Sequence, residues 1–139
     1  MSQEFVGVWK LVSFEYHRGG QIFYPKDTFT GYIMYTSNGY MSVHIMAMER
    51  QPFKSADWLN GAVEEYVDAG KTYTGYCGTY EIRENEITHH VEMSHFPNWV
   101  GTDFVRCFKF RGETLTLSTP PMLVEGHTQI GQLVWQKIK

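Results

Sequence analysis

The stretch Gly31-Tyr32-Ile33-Met34-Tyr35-Thr36-Ser37-Asn38-Gly39-Tyr40-Met41-Ser42-Val43-His44-Ile45-Met46-Ala47-Met48 joins two apolar, aromatic and β-branched runs through an Asn-Gly turn. Asn-Gly supplies the positive φ that a tight hairpin requires, so these residues read as two antiparallel strands. Outward from there the pattern repeats at roughly 8–12-residue spacing, the signature of an all-β sandwich or barrel. Phe5 to Tyr16 reads as a first long strand, stopped by Arg18-Gly19-Gly20. Thr72 to Arg83 and Glu86 to Ser94 flank a turn at Glu84-Asn85; Gly101 to Arg111 and Glu113 to Ser118 flank Gly112. Pro120-Pro121 through Gly126 interrupts before a last strand from Thr128 to Ile138. Only the segment after Pro52 changes texture: Ser55-Ala56-Asp57 can cap a helix carrying Trp58, Leu59, Ala62, Val63, Tyr66 and Val67 at helical spacing, with Gly70 as its stop. One helix is therefore expected over about residues 55–70. Eight successive strands without βαβ alternation favour an all-β, eight-stranded antiparallel up-and-down barrel, because closure removes the edges an open meander exposes. Such an interior either holds one small ligand or is filled by side chains. Internal repeats and linkers are absent, which predicts a single domain over residues 1–139.

Composition narrows the function. The 139 residues are 42% hydrophobic, 19% charged and 16% aromatic, an ordinary globular balance with an excess of rings suited to pleated surfaces and pockets. A net charge of −3 gives no basic field for phosphate backbones or anionic lipid, so neither nucleic acid nor a membrane is an expected partner. Met1-Ser2-Gln3-Glu4 enters patterned sequence without a basic and apolar leader, which predicts a cytoplasmic protein. Cys77 and Cys107 lack metal spacing and are too few for a disulfide framework; free thiols are expected.

Several motifs resemble a known family. Gly7-Val8-Trp9-Lys10-Leu11-Val12-Ser13 is similar to the N-terminal Gly-x-Trp signature of lipocalins. Gly39-Tyr40-Met41-Ser42, Gly78-Thr79-Tyr80-Glu81, His89-His90-Val91-Glu92-Met93-Ser94 and Pro97-Asn98-Trp99-Val100-Gly101-Thr102 resemble the short bacterial and fungal lipocalin-like domain proteins. The resemblance spans nearly the whole chain and implies a calycin-type barrel. Relatives in biosynthetic clusters resemble small isomerases, cyclases or dehydratases that use the cavity as a reaction vessel. A second implication is a structural one, the lipocalin habit of packing an Arg, here Arg106, on the Gly-x-Trp tryptophan, here Trp9.

Alternation sorts the side chains between the two faces. With Glu84 and Asn85 at the turn, Tyr80 faces His89, Gly78 faces Val91 and Tyr76 faces Met93, while His90 and Glu92 fall on the polar face. Phe104, Arg106, Phe108 and Phe110 share a face with Leu115 and Leu117 about Gly112. A slip of one residue between these hairpins would instead bring His90 and Glu92 beside Arg106; the apolar-inward register groups Tyr80, His89 and Arg106. About the Asn-Gly turn, the same sorting puts Met34, Met41, Val43 and Ile45 on one face and Tyr35, Ser42 and His44 on the other. Trp99 falls at one barrel end, where it can form a lip. Trp58 and Trp135 read as core plugs.

A guanidinium cannot shed its charge, so Arg106 among phenylalanines calls for a carboxylate neighbour or an anionic or carbonyl oxygen. The site reading assigns His89, Arg106 and Tyr80 to catalysis and Tyr76, Trp99, Met41, Met93, Phe104 and Phe108 to ligand contact. His89 would move a proton while Arg106 and a phenol stabilise an enolate or oxyanion. That is cofactor-free isomerisation, cyclisation or dehydration of a mostly apolar oxygenated metabolite. The alternative is a protein that binds and sequesters such a molecule without turnover, and beneath both lies a His89 that is merely a core histidine bonded to Tyr80. Metal is not expected, because His89 and His90 point oppositely on a strand and no His-Glu-x-x-His helix exists. Nucleophile elbows and phosphate-cradling Gly loops are likewise absent, so no cofactor is expected. Dimerisation through an exposed sheet face is a further expectation.

Overall fold

A computed structural model describes residues 3–25 and 28–139. The strands are β1 (Gly7–Arg18), β2 (Gln21–Phe23), β3 (Phe29–Tyr35), β4 (Tyr40–Ala47), β5 (Tyr73–Arg83), β6 (Glu86–Ser94), β7 (Asp103–Arg111), β8 (Thr114–Ser118), β9 (Met122–Val124) and β10 (His127–Lys137). One helix, α1 (Val63–Lys71), connects β4 to β5, and a 3-10 turn covers Pro97–Trp99. The sheet runs β1-β3-β4-β5-β6-β7-β8-β10, and β10 pairs back onto β1 through contacts from Trp9↔Lys137 to His17↔Ile130. Every pairing is antiparallel, so eight strands close the barrel as expected. β2 and β9, absent from the sequence reading, are three-residue ribbons that extend β1 and β10 at one end.

The other end is plugged from inside. Phe5, just ahead of β1, is fully buried and places its ring 5.2 Å from Tyr35 and 4.9 Å from each of Phe108 and Phe110, all edge-on. Its carbonyl accepts the indole N–H of buried Trp9 at 2.9 Å. Edge-to-face geometry sets the positive rim of one ring against the negative face of the next, adding about 0.5–1.5 kcal/mol per pair beyond area burial. The cation over Trp9 is Lys137, 5.1 Å from the ring, and not Arg106. Arg106 lies over Phe104 on its own strand instead, 4.6 Å from the ring centre.

Three local expectations are corrected. The Asn-Gly hairpin pairs Tyr35↔Met41 and Ile33↔Val43, with Thr36 and Tyr40 closing a three-residue loop. Gly39 adopts φ 93°, as the last position of such a loop requires. A loop one residue longer than Asn-Gly alone turns β3 over, so Tyr35 is buried and Met34 faces out. On β5 and β6 the predicted pairs Arg83↔Glu86, Ile82↔Ile87, Tyr80↔His89 and Gly78↔Val91 all form. Beyond them Cys77 pairs with Met93, leaving Glu92 as the extra residue of a β-bulge. Met93 therefore points outward, 65% exposed, and the expected Tyr76–Met93 pair is not made. Gly78 accommodates the bulge: a Cβ there would lie 1.8 Å from the carbonyl oxygen of His90.

The helix starts later than its polar residues suggest. Ser55 and Asp57 are spent on local turns, Ser55 Oγ accepting from the Asp57 N–H at 3.0 Å and Asp57 Oδ1 from the Leu59 N–H at 3.1 Å. The start is fixed by Glu65, whose carboxylate accepts the N–H groups of Ala62 (2.9 Å) and Lys54 (3.0 Å). Those backbone bonds hold its carboxyl below the usual range. Trp58 precedes the helix and is 78% exposed, so it is no core plug, whereas Trp135 is buried as expected. Among the described residues no helix is long and apolar enough to cross a membrane.

Candidate functional site

Strand alternation delivers one polar cluster into an apolar interior. His89 on β6 faces inward and is 1% exposed, opposite Phe104 on β7. Its Nε2 lies 2.8 Å from the Tyr35 hydroxyl on β3, and its Nδ1 lies 2.7 Å from the Tyr76 hydroxyl on β5. Three strands thus converge on one imidazole. The neighbouring His90 points out, its ring bridging Asp103 at 2.7 Å and Glu81 at 3.0 Å. The carboxylates, Asp103 foremost, raise its pKa, and the inward register expected for His89 is the one the barrel adopts.

Burial dominates the electrostatics. It removes the imidazolium's hydration and, with the charge of Arg106 and then of His90 adding to the effect, lowers the His89 pKa from 6.5 to about 3. Burial likewise raises Tyr35 well above the ordinary phenol value. Tyr76 is raised by burial and partly pulled back by the charge of Arg106 and a hydrogen bond from its side chain. All three rings are therefore neutral near pH 7. Tyr76 lines the cavity and Tyr35 does not, so the tautomer that leaves no O–H sealed in without an acceptor has Tyr35 donating to Nε2 and Nδ1–H donating to Tyr76. With its oxygen accepting from His89, Tyr76 keeps its own proton free to donate.

His89, Tyr76 and Arg106 border a cavity of about 130 Å³. Its walls include Ile33, Val43, Ile45, Leu117 and Leu133, with Trp99, Phe104 and Trp135 as aromatic panels. Trp99 stands edge-on to Tyr76 (6.1 Å) and Phe104 (5.3 Å), so the 3-10 turn is tied to the polar cluster by ring contacts. Trp135 buries its indole N–H without a protein partner.

Of the residues singled out in the sequence, His89, Arg106, Tyr76, Trp99 and Phe104 line this cavity. Tyr80 does not: its hydroxyl donates to the Thr36 carbonyl at 2.7 Å and its ring packs on Tyr35 at 4.9 Å. The partner of His89 is thus Tyr35 rather than Tyr80. Met41 is buried at the level of Tyr35 and Gly78, beneath the cavity, and Phe108 packs on the Phe5 plug. Met93 is outside the barrel. Tyr35 is the group the sequence reading missed. The buried series Gly31, Ile33, Tyr35 within β3 was the signal for it, overridden by the assumed turn length.

The chain belongs to the lipocalin-like domain family, whose model matches residues 6–138. It is 31% identical over 107 residues to the 4'-hydroxy-3'-methoxypropiophenone carrier protein ppsC of Aspergillus oryzae (strain ATCC 42149 / RIB 40), covering 70% of this chain and 96% of that protein. A crystal structure of an uncharacterized protein from Bacteroides eggerthii DSM 20697 superposes with a TM-score of 0.48 at 17% identity, covering 96% of this chain and 99% of that one.

Proposed function

We propose that the barrel is a binding protein for a small oxygenated aromatic compound of one ring, held in the cavity with its polar group at Tyr76 and Arg106. The observation that carries this reading is the cavity itself. Its volume of about 130 Å³ is close to the roughly 150 Å³ at which a dry apolar cavity takes up benzene. Its walls are mostly apolar and carry a few polar groups, the combination that lets hydrophobic burial provide affinity and a few hydrogen bonds provide orientation. The named ligand of the Aspergillus oryzae relative is a single aromatic ring bearing oxygen groups, and this chemistry supports the reading.

Binding fits the polar cluster better than turnover. A proton-transfer catalyst needs a group whose pKa lies near the working pH and whose nitrogen can reach the substrate. His89 has its pKa lowered to about 3, and both ring nitrogens are occupied by phenols. Its role in this reading is to orient Tyr76. The test is a calorimetric or Trp-fluorescence titration with 4-hydroxyacetophenone and with a two-ring analogue, alongside Val43→Phe, which fills the cavity. Saturable binding of the single-ring compound, its loss in Val43→Phe at unchanged thermal stability, and recovery of the compound chemically unaltered are the expected results. Equal binding to Val43→Phe would place the ligand elsewhere, and conversion of the compound would restore an enzymatic role.

A further inference from the structure

Arg106 is the one charged residue among the sixteen that line the cavity. It is half-buried, and among the described residues no carboxylate pairs with it. Its contacts are the Phe104 ring, the Val105 carbonyl at a long 3.4 Å and the Tyr76 phenol. The titratable groups that face it from the neighbouring strands are Tyr76 on β5, His89 on β6 and Tyr35 on β3, all neutral. A guanidinium in apolar surroundings without a counter-charge is an incomplete arrangement, costly until an anion joins it. The hydrogen-bond accounting points the same way. With Tyr35 donating to His89 and His89 donating to Tyr76, this side of the cavity presents the Tyr76 O–H and the guanidinium N–H groups as donors.

We propose that the cavity takes its aromatic ligand as an anion, with a phenolate or aryl carboxylate oxygen against Arg106 and Tyr76. This inference rests on the binding role proposed above and specifies the ligand's charge state. A phenol entering the site gives its proton to bulk solvent, since neither nitrogen of His89 is free to take it. An opposite charge within a few ångströms lowers an acid's pKa by about 1–3 units, so the anion is bound about ten- to a thousandfold more tightly than the neutral form.

The probe for the test is 4-hydroxyacetophenone, whose phenolate absorbs at longer wavelength than its phenol. It is mixed with protein one pH unit below its own pKa, and its non-ionisable analogue 4-methoxyacetophenone is titrated in parallel. A phenolate band on binding to wild type is expected, with the methoxy analogue bound about two- to ninetyfold more weakly at that pH, where about a tenth of the free probe is ionised. Arg106→Gln should bind the probe without the band, and Arg106→Lys should retain it. If Arg106→Gln does not fold, the comparison of the two compounds on wild type decides. Binding of the probe in its neutral form, or equal affinity for the methoxy analogue, would overturn the anionic inference and leave the binding role intact. Failure of both compounds to bind would remove the binding role and this inference with it.

Discussion

The neutral state of His89 makes stability depend on acid in a way that one substitution can isolate. In the unfolded chain this imidazole titrates near 6.5; in the barrel its pKa is lowered to about 3 by burial, helped by Arg106. Between those values the unfolded state holds a proton that the folded state refuses. Stability therefore rises with pH across that window and is lost as pH falls below about 6.5, at a slope approaching 1.4 kcal/mol per unit. Over the full window the cost is on the order of 5 kcal/mol, and from pH 6.5 to pH 5 it is about 2 kcal/mol, a large part of the roughly 5–15 kcal/mol that a domain has. His90 acts in the opposite sense: its raised pKa makes its ion pairs favourable when protonated and lost as pH climbs through that pKa, though exposure screens them. His89→Gln removes the buried titration and keeps His90. Urea unfolding of both proteins at half-unit steps from pH 7 to pH 4.5 gives the two stability curves. Wild type should fall more steeply, the difference growing by about 2 kcal/mol between pH 6.5 and pH 5. Parallel curves over that range would refute the claim that the barrel holds His89 neutral.

Other consequences are more local. Tyr35→Phe removes the hydroxyl bonded to Nε2 of a buried imidazole and should cost about 1–3 kcal/mol in urea melts, with Tyr80→Phe, which releases a backbone carbonyl near the turn, costing less. Gly78→Ala forces a methyl into the His90 carbonyl and should lower stability by on the order of 3 kcal/mol, visible as a fall in Tm; a neutral result would show that the bulge can move. Phe5→Ala empties the plug and should cost about 3–5 kcal/mol, whereas Trp58→Ala should stay within about 0.5 kcal/mol of wild type by the same melts.

What could be read in advance depended on whether a turn declared its own length. Glu84-Asn85 leaves no room for a different count, and every pairing from Arg83↔Glu86 to Gly78↔Val91 follows by alternation, which alone is enough to send His89 inward and His90 out. About Gly112 either turn puts Phe108 and Phe110 on the face of Leu115 and Leu117, and the barrel pairs Phe108↔Leu117 and Phe110↔Leu115. Ser37-Asn38-Gly39 permits loops of two or three residues, and the choice decides whether Tyr35 or Met34 meets His89. A bulge such as that at Glu92 has no local signature beyond the glycine opposite it, so Met93 could not be placed by counting. Arg106 stood out because a charge among phenylalanines needs a reason; whether it would meet Trp9 or the cavity depends on strand-to-strand distances that a linear pattern does not contain. Ser55 and Asp57 mislead for a related reason, since the same side chains serve turns and helix caps.

The Phe5 plug carries a kinetic consequence. With one end of the barrel stoppered by the edge-on rings of Phe5, Phe108 and Phe110, nothing can cross the barrel from end to end without unpacking those rings.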